Sequence, residues 1–318
     1  MLKRQFALVG EEEPSFGGLG VSIFFFLSGM LIIQSWLHDS NLKRFFLKRA
    51  LRIFPALIVV VCLTVFVLGP IVFVGEASTY FGQKETWLYL SNAVLIIHHY
   101  IPGVFEQNPY IGAINGSLWT LPLEFICYIT IAIAGYIGIF KKLGFILSAL
   151  VIMVVSMAVV FLFLPDHFIT HVTLVSYFWW GALFGYLNFN KSYLQELSVK
   201  LKAFLVVLLI VIVLLYMFLL PNGFERTLLL LIICSLVLFA YGSSAFSFWS
   251  RYVGDLSYGV YIYAFPVQQT LVMYFTFNQL PLNPFEQFCY AMIITAVLAY
   301  ISWHFVESKS LKFKPRGK

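Results

Sequence analysis

Long apolar runs alternate with short polar segments from one end of the chain to the other. A helix needs about 20 apolar residues to cross the hydrocarbon core of a bilayer. A shorter run, residues 87–97, is below that length and predicts an interfacial or re-entrant helix. Nine runs are long enough, and we predict a transmembrane helix for each: 19–37, 51–74, 119–140, 144–164, 172–187, 203–220, 227–241, 257–277 and 285–305. The pattern thus predicts an all-α polytopic membrane protein.

Composition supports this class. The 318 residues are 61% hydrophobic and only 11% charged, and the mean hydropathy is +0.91, whereas the surface of a water-soluble globule needs far more charge. No polar segment is long enough for a separate soluble domain, so residues 1–318 are predicted to form a single membrane domain. The cysteines have no metal-ligand spacing and are interpreted as packing residues within apolar runs: Cys62, Cys127, Cys234 and Cys289.

Positive charge is concentrated in residues 44–55 (RFFLKRALRIFP), between the first two predicted spans. Cytoplasmic loops retain lysine and arginine, so this segment orients the chain. If it is cytoplasmic, so is the C-terminus, and the basic residues left outside are Lys3, Arg4, Lys84 and Arg226. The net charge of +6 does not indicate nucleic acid, because no basic run is interleaved with solvated polar sequence. Charge so concentrated is either a topology signal or a binding site for an anion.

The predicted topology places Met1 outside, because nine spans end at a cytoplasmic C-terminus. No upstream helix or signal peptide would carry Met1 there, although a short tail bearing Glu11, Glu12 and Glu13 could translocate unaided. One additional preceding helix would place both termini inside. We therefore expect that the chain lacks a first helix.

Four local signatures follow one another along the chain: residues 20–33 (GVSIFFFLSGMLII), 48–55 (KRALRIFP), 115–125 (NGSLWTLPLEF) and 256–267 (LSYGVYIYAFPV). In kind and order they resemble landmarks of the acyltransferase-3 family, and the resemblance covers essentially the whole chain. Members of this family are membrane proteins that transfer acyl groups, often acetyl, to sugars of bacterial surface polysaccharides. The nearest branch is the one associated with O-antigen and exopolysaccharide acetylation, which implies a bacterial inner-membrane enzyme with acetyl-CoA as the donor and no bound cofactor.

Two departures from the family pattern stand out. Family members carry an Arg and a catalytic His in a helix before the FFxxSG segment, which would make a core of ten spans. Here residues 5–10 (QFALVG) resemble the stretch after that His, and residues 1–4 contain no His. The resemblance therefore implies that the chain is truncated and inactive alone. The second departure is Ala264, where many members have His, and it is interpreted as subgroup variation.

The resemblance implies that Lys48, Arg49 and Arg52 bind acyl-CoA. This donor carries a 3′-phosphate and a pyrophosphate, which guanidinium groups can pair with bidentately. Arg49 and Arg52 are three residues apart, on the same side of a helix predicted to begin there. Pro55 is expected in the first turns of that helix, where a missing N–H costs least. The alternative is a positive-inside anchor whose basic side chains reach lipid headgroups.

Glu124 follows Trp119 and Pro122 near the outer part of a predicted span. A carboxylate there is expensive to bury and marks either a function or a paired structural role. It is the catalytic candidate in this chain: it could orient an imidazole, hold a sugar hydroxyl or pair with an Arg. The alternative is a protonated structural Glu. The resemblance implies further tunnel or motif residues: Phe24, Phe25, Ser28, Gly29, Ser117, Trp119 and Tyr258.

Several of these residues have a simpler explanation. Ser28 and Gly29 are small and permit close helix approach, and Ser28 lacks the GxSxG context of an acyl-serine nucleophile. The aromatics of the motifs are typical of packing or interfacial positions. His167 and His171 have i, i+4 spacing, but nothing around them completes a metal site, and no metal is predicted. His98 or His99 could contact a sugar.

The predicted function is acyl transfer from cytoplasmic acyl-CoA to a sugar hydroxyl of a polysaccharide or its lipid-linked precursor. A His general base would deprotonate the hydroxyl, which attacks the thioester carbonyl. One alternative is a transporter or flippase of lipid-linked saccharide, against which stand the missing internal repeat and the basic residues at one inner turn. A second alternative is a non-catalytic accessory protein. Acceptor choice is predicted to lie in the outer stretch of residues 75–115.

Overall fold

The computed structural model describes residues 16–110, 112–140, 168–189, 254–280 and 283–315, with single positions between Val207 and Ile232. The α-helices of these ranges are α1 Phe16–His38, α2 Leu42–Leu63, α3 Gly69–Val72, α4 Ala77–Gly82, α5 Lys84–Leu88, α6 Thr120–Tyr136, α7 Ile169–Phe189, α8 Ser257–Phe277, α9 Pro284–Ser302 and α10 Ser308–Leu311. The 3-10 helices are Tyr89–Val94 and Gly116–Trp119, and the π-helical segments are Thr64–Leu68 and Trp303–Glu307.

Among the described residues, four helical stretches are long and apolar enough to cross a bilayer: Gly17–His38, Leu42–Val72, Gly116–Tyr136 and Pro284–Leu311. They confirm the all-α class and the first, second, third and ninth predicted spans. The fifth and eighth predicted spans lie in α7 and α8, each a helix of 21 residues. The spans predicted at 144–164, 203–220 and 227–241 lie outside the continuous described ranges, so the total of nine stays a prediction.

The start of the helix that carries the second span was predicted wrongly. Helix α2 begins at Leu42, so the basic segment is helical, and Pro55 lies in the interior of the helix instead of its first turns. The reason is a local cap: Oδ1 of Asn41 accepts a hydrogen bond from the backbone N–H of Arg44 at 3.1 Å. An Asn at this position satisfies an otherwise unpaired N–H of the first turn, which lets the helix start before its apolar part.

The chain divides into two compact units, and the prediction of a single domain stays a prediction. Unit 1 comprises Met1–Phe45, Leu123–Ser243 and Gly317–Lys318, and unit 2 comprises Phe46–Pro122 and Ser244–Arg316. Each unit is assembled from segments far apart in sequence. The boundary falls between Pro122 and Leu123, within α6.

Unit 1 is built on a close helix pair. A Cβ at Gly29 of α1 would lie 1.9 Å from the carbonyl oxygen of Phe178 in α7. A Cβ at Gly181 of α7 would lie 1.9 Å from the carbonyl oxygen of Phe26, and one at Gly185 would lie 2.6 Å from that of Met30. Small residues repeated at four-residue spacing let helix backbones touch within a bilayer. The pair α1–α7 therefore tolerates only glycine at these contacts.

Unit 2 packs α8 against α9 and attaches an irregular segment to α8. A Cβ at Gly259 of α8 would lie 2.9 Å from the Cα of Ala299 in α9. Asn108 donates from Nδ2 to Oε1 of Gln269 at 2.9 Å, and Asn115 donates to the carbonyl of Ile262 at 2.8 Å. These buried amides fix the predicted outer loop to the helix. Earlier in the same segment, residues 87–97 include the end of α5 and the 3-10 helix Tyr89–Val94, and their interfacial or re-entrant position stays a prediction.

Candidate functional site

One candidate site lies in unit 1 and is here called the carboxyl cluster: Ser28, Glu124 and Tyr128. Glu124 is 4% exposed, and both neighbours are also buried. The hydroxyl of Ser28 donates to Oε1 of Glu124 at 3.0 Å. The hydroxyl of Tyr128 donates to the same oxygen. Two predicted residues that are 96 positions apart in the sequence, Ser28 and Glu124, are thus brought into direct contact.

Local structure positions each member of the carboxyl cluster. Glu124 and Tyr128 are i and i+4 on α6, so their side chains share one helix face. Ser28 immediately precedes Gly29. The contact of Gly29 with α7 fixes the position of α1 along its axis and its rotation about that axis. A buried carboxyl group is costly unless it is hydrogen-bonded, and hydroxyl donors supply that compensation. The arrangement can hold a carboxylate ready to accept a proton or orient a donor.

The second candidate site lies in unit 2, where Arg52 of α2 contacts two acids. Its Nη2 is 2.6 Å from Oδ2 of Asp255, and its Nη1 is 3.5 Å from Oε2 of Glu307. Glu307 is 1% exposed, whereas the side chain of Asp255 is 52% exposed. Ser302 donates to Oε1 of Glu307 at 3.0 Å. Arg52 is therefore held by one buried and one accessible carboxylate.

Aromatic rings complete the surroundings of Arg52. Its guanidinium carbon lies 5.9 Å from the ring centroids of both Tyr258 and Trp303, a distance at which cation–π attraction operates. The hydroxyl of Tyr258 donates to the carbonyl of Ile53 at 2.9 Å, which ties α8 to α2. A Cβ at Gly254, whose φ is +85°, would lie 2.0 Å from Nε1 of Trp303. These contacts place the predicted residues Arg52 and Tyr258 side by side.

Further positive charge surrounds this position. Lys48 and Arg49 lie one turn before Arg52 on α2, and Lys314 comes from the C-terminal segment. Partial desolvation, followed by the positive charges of Arg49 and Arg52, lowers the pKa of Lys314. We call Lys48, Arg49, Arg52 and Lys314 the cation cluster. Burial is the larger cause of this shift, and the neighbouring cations add to it, so a bound anion would relieve the repulsion among these side chains.

Another basic residue of the same segment has a different role. Arg44 donates from Nε to both carboxylate oxygens of Asp39 at 3.0 Å and from Nη2 to Oδ1 at 2.6 Å. Asp39 is 8% exposed. This bidentate pair closes the turn between α1 and α2 within unit 1. The basic segment thus contains a structural arginine, Arg44, and three members of the cation cluster.

The remaining predicted residues make packing or local contacts. Phe25 is fully buried, and its ring lies 5.9 Å from that of Phe24. Gly29 makes the close helix contact that small residues predict. The carbonyl of Ser117 accepts a hydrogen bond from the hydroxyl of Tyr261, and Trp119 is partly exposed at the start of the third span. Their proposed tunnel roles stay predictions.

The described histidines form local contacts. Nδ1 of His98 lies 2.7 Å from Oγ of Ser91, and desolvation by the surrounding protein lowers the pKa of His99. His171 is on α7, whereas His167 lies outside the described ranges. Among the side chains that the structure describes, no three His, Cys, Asp or Glu residues are grouped as metal ligands.

Sequence reasoning missed Asp255, Glu307 and Lys314 as site residues. A signal for the two acids was present, because the charge-based topology puts both on the side of the basic segment, where acids are scarce. The role of Tyr128 was also missed, although its i+4 spacing from Glu124 predicts contact.

The described residues thus form a helical membrane protein with two clusters of polar side chains, the carboxyl cluster and the cation cluster. The chain belongs to the acyltransferase-3 family: the family described as "Acyltransferase domain" matches residues 2–304. It is an O-acyltransferase, as the motif resemblance predicts.

Two relatives illustrate the similarity. The O-acetyl transferase of Shigella phage Sf6 is 31% identical over 319 residues, which cover 98% of this chain and 92% of the relative. Nodulation protein 10 of Rhizobium leguminosarum bv. viciae is 35% identical over 121 residues, which cover 36% of this chain and 32% of the relative. No solved structure matches the chain significantly.

Proposed function

We propose that the protein transfers an acetyl group from acyl-CoA to a sugar hydroxyl of a surface polysaccharide or its lipid-linked precursor. The observation that carries the proposal is the cation cluster, in which two carboxylates and two aromatic rings contact Arg52. The similarity to a phage O-acetyl transferase supports acetyl as the group transferred. The proposed location is the bacterial inner membrane, with the C-terminus in the cytoplasm.

The cation cluster suits the phosphate groups of an acyl-CoA donor. Guanidinium groups bind phosphate oxygens bidentately, and lysines add charge without geometric demand. Arg49 and Arg52 are three positions apart on α2, so both can face one ligand. A donor with several phosphate charges would offset the repulsion from Arg49 and Arg52 that, after desolvation, lowers the pKa of Lys314.

The carboxyl cluster is the proposed contributor to transfer. In the reaction, the sugar oxygen attacks the thioester carbonyl, a base takes the hydroxyl proton, and the coenzyme leaves as a thiol after accepting a proton. The family resemblance implies a His as the base. Glu124, held by Ser28 and Tyr128, is proposed to orient that imidazole or the acceptor hydroxyl.

Donor binding tests the proposal. Calorimetry with acetyl-CoA on the purified protein should show binding that the Arg49→Ala, Arg52→Ala double variant loses. The matched control is Lys43→Ala, which removes an exposed basic residue of the same helix and should bind normally. Unchanged affinity in the double variant would instead favour the transporter or flippase alternative.

Acceptor acylation tests the role of Glu124. NMR of the surface polysaccharide should show O-acetyl groups that disappear when the gene is deleted. Complementation with Glu124→Gln should lower O-acetylation about a hundredfold, the usual size of a lost acid–base or orienting group. Normal O-acetylation in this variant would assign Glu124 a purely structural role. Full O-acetylation in the deletion strain would favour the accessory-protein alternative.

A further inference from the structure

Arg52 already uses its outer nitrogens on neighbours. Nη2 donates to Oδ2 of Asp255 at 2.6 Å and reaches Oγ of Ser257 at 3.4 Å, and Nη1 faces Glu307. A guanidinium has five N–H donors in a fixed fork, and bidentate phosphate binding needs two of them on one side. A phosphate group can therefore engage Arg52 fully only if one carboxylate withdraws.

Burial decides which carboxylate can withdraw. Glu307 is 1% exposed and its other oxygen accepts from Ser302. Taking Arg52 from it would leave a buried, unpaired charge, which is strongly unfavourable. Asp255 is 52% exposed, so water can solvate its carboxylate as soon as it releases Arg52.

The two oxygens of Asp255 have separate roles. Oδ2 contacts Arg52, while Oδ1 accepts from the backbone N–H of Ser257 at 3.2 Å and from its hydroxyl at 2.6 Å. The second set of bonds is a local contact with Ser257, the first residue of α8. Loss of the Arg52 contact therefore leaves the start of α8 intact.

We propose that Asp255 is a displaceable carboxylate. It binds Arg52 before the donor arrives, and a phosphate group of the donor then takes its place, while Glu307 holds the guanidinium in position. This inference rests on the proposed function. It makes Asp255 a determinant of donor affinity, because every binding event must break its contact with Arg52. The contact also keeps weaker, singly charged anions from Arg52, since they gain less from the exchange.

The other charges at the site agree with such an exchange. Lys48 and Arg49 bring two further positive charges on α2, and after desolvation the charges of Arg49 and Arg52 lower the pKa of Lys314 in the C-terminal segment. A ligand with several phosphate charges compensates for losing Asp255, because it also attracts these residues. A carboxylate on a single exposed loop residue cannot reach them all.

The test is calorimetry of the full chain in lipid nanodiscs, with coenzyme A and inorganic pyrophosphate as separate probes. Asp255→Asn keeps an Oδ1 acceptor for Ser257 and removes the competing charge. We expect its Kd for coenzyme A to fall about three- to fivefold, the scale of one partly exposed ion pair. Asp255→Ser, which also retains a side-chain oxygen, should behave alike if the Asn variant is poorly folded.

A matched variant separates displacement from simple loss of negative charge. Glu307→Gln removes a charge from the same guanidinium, but also its fixed anchor, and should not tighten binding. Equal tightening in both variants, or unchanged or weaker binding in the Asp255 variants, would overturn the inference while the donor site stands. No binding of coenzyme A by the unmodified protein would instead overturn the proposed function. If phosphate alone drives the exchange, the Kd for pyrophosphate should also fall in the Asp255 variants and not in Glu307→Gln.

Discussion

The carboxyl cluster and the cation cluster compensate a charged or polar side chain for lost hydration in opposite ways. In the first, an acid that is 4% exposed is held by two hydroxyls. In the second, Arg52 is held by two acids and two aromatic rings. Neutral hydroxyl donors let the carboxyl group of Glu124 change its protonation state. The ion pairs of Arg52, in contrast, allow one anion to replace another at the guanidinium. The first arrangement suits proton chemistry and the second suits anion binding.

The largest expected effect comes from breaking the framework of the carboxyl cluster alone. Gly29→Val places atoms against the carbonyl of Phe178, where a Cβ would be 1.9 Å away. Because a helix backbone cannot yield as a side chain does, we expect a loss of about 3 kcal/mol or more. Thermal unfolding in detergent should show a Tm lower by about 6 °C or more.

Gly20→Ala on the same helix is the control, because nothing lies within 4 Å of a Cβ there. It should fold as well as the unmodified protein or slightly better. A Gly29→Val protein with an unchanged Tm would show that α1 and α7 are not in backbone contact.

The next effect concerns the cation cluster. Arg52→Met leaves Glu307 buried without its cation, which should cost about 2 kcal/mol after allowance for the 23% exposure of Arg52. The double variant Arg52→Met, Glu307→Gln should recover at least half of that loss, because no charge remains buried. Urea or thermal unfolding of the four proteins in the cycle measures the coupling. Additive effects would mean that the pair contributes nothing to stability.

A smaller effect tests whether hydroxyls hold Glu124. Tyr128→Phe removes one donor and should cost about 1 kcal/mol, the usual net value of a buried hydrogen bond. Tyr136→Phe, which removes an exposed hydroxyl from the same helix, should leave the Tm unchanged. Equal Tm values for both variants would contradict the hydrogen bond from Tyr128.

The smallest effect lies outside both clusters. The backbone N–H of Gly103 and the hydroxyl of Tyr100 lower the pKa of Glu106 below its ordinary 4.5. The ionised form is therefore favoured in the folded state, and its contribution is present above pH 4.5 and lost as the pH falls through the lowered pKa. Tm measured from about pH 6 to about pH 3 should fall less steeply in Glu106→Gln. Parallel curves would assign acid sensitivity to other carboxyl groups.

The sequence predicts helices far better than it predicts contacts. Hydrophobic length alone located α8 at residues 257–277 with its observed limits, because apolar length is a direct requirement of the bilayer. The start of α2 was missed because one side-chain cap, Asn41, extends the helix into polar sequence. Such a cap has little weight in a hydropathy pattern.

Several members of the two clusters were singled out from the sequence, but their arrangement was not. Ser28, Glu124, Arg52 and Tyr258 were each singled out from local motifs. Their partners are distant in sequence: Asp255 is 203 positions from Arg52. Only the packing of helices settles such pairings, whereas the i, i+4 contact of Glu124 with Tyr128 needed no tertiary knowledge.

The early start of α2 constrains how this segment can change. Each residue turns an α-helix by about 100°, so one inserted or deleted residue between Asn41 and Lys48 would rotate Arg49 and Arg52 by that angle relative to the capped end. In a flexible loop the same change would be absorbed locally. The number of residues in this stretch is consequently fixed by helical geometry, and single-residue deletions across it should be poorly tolerated.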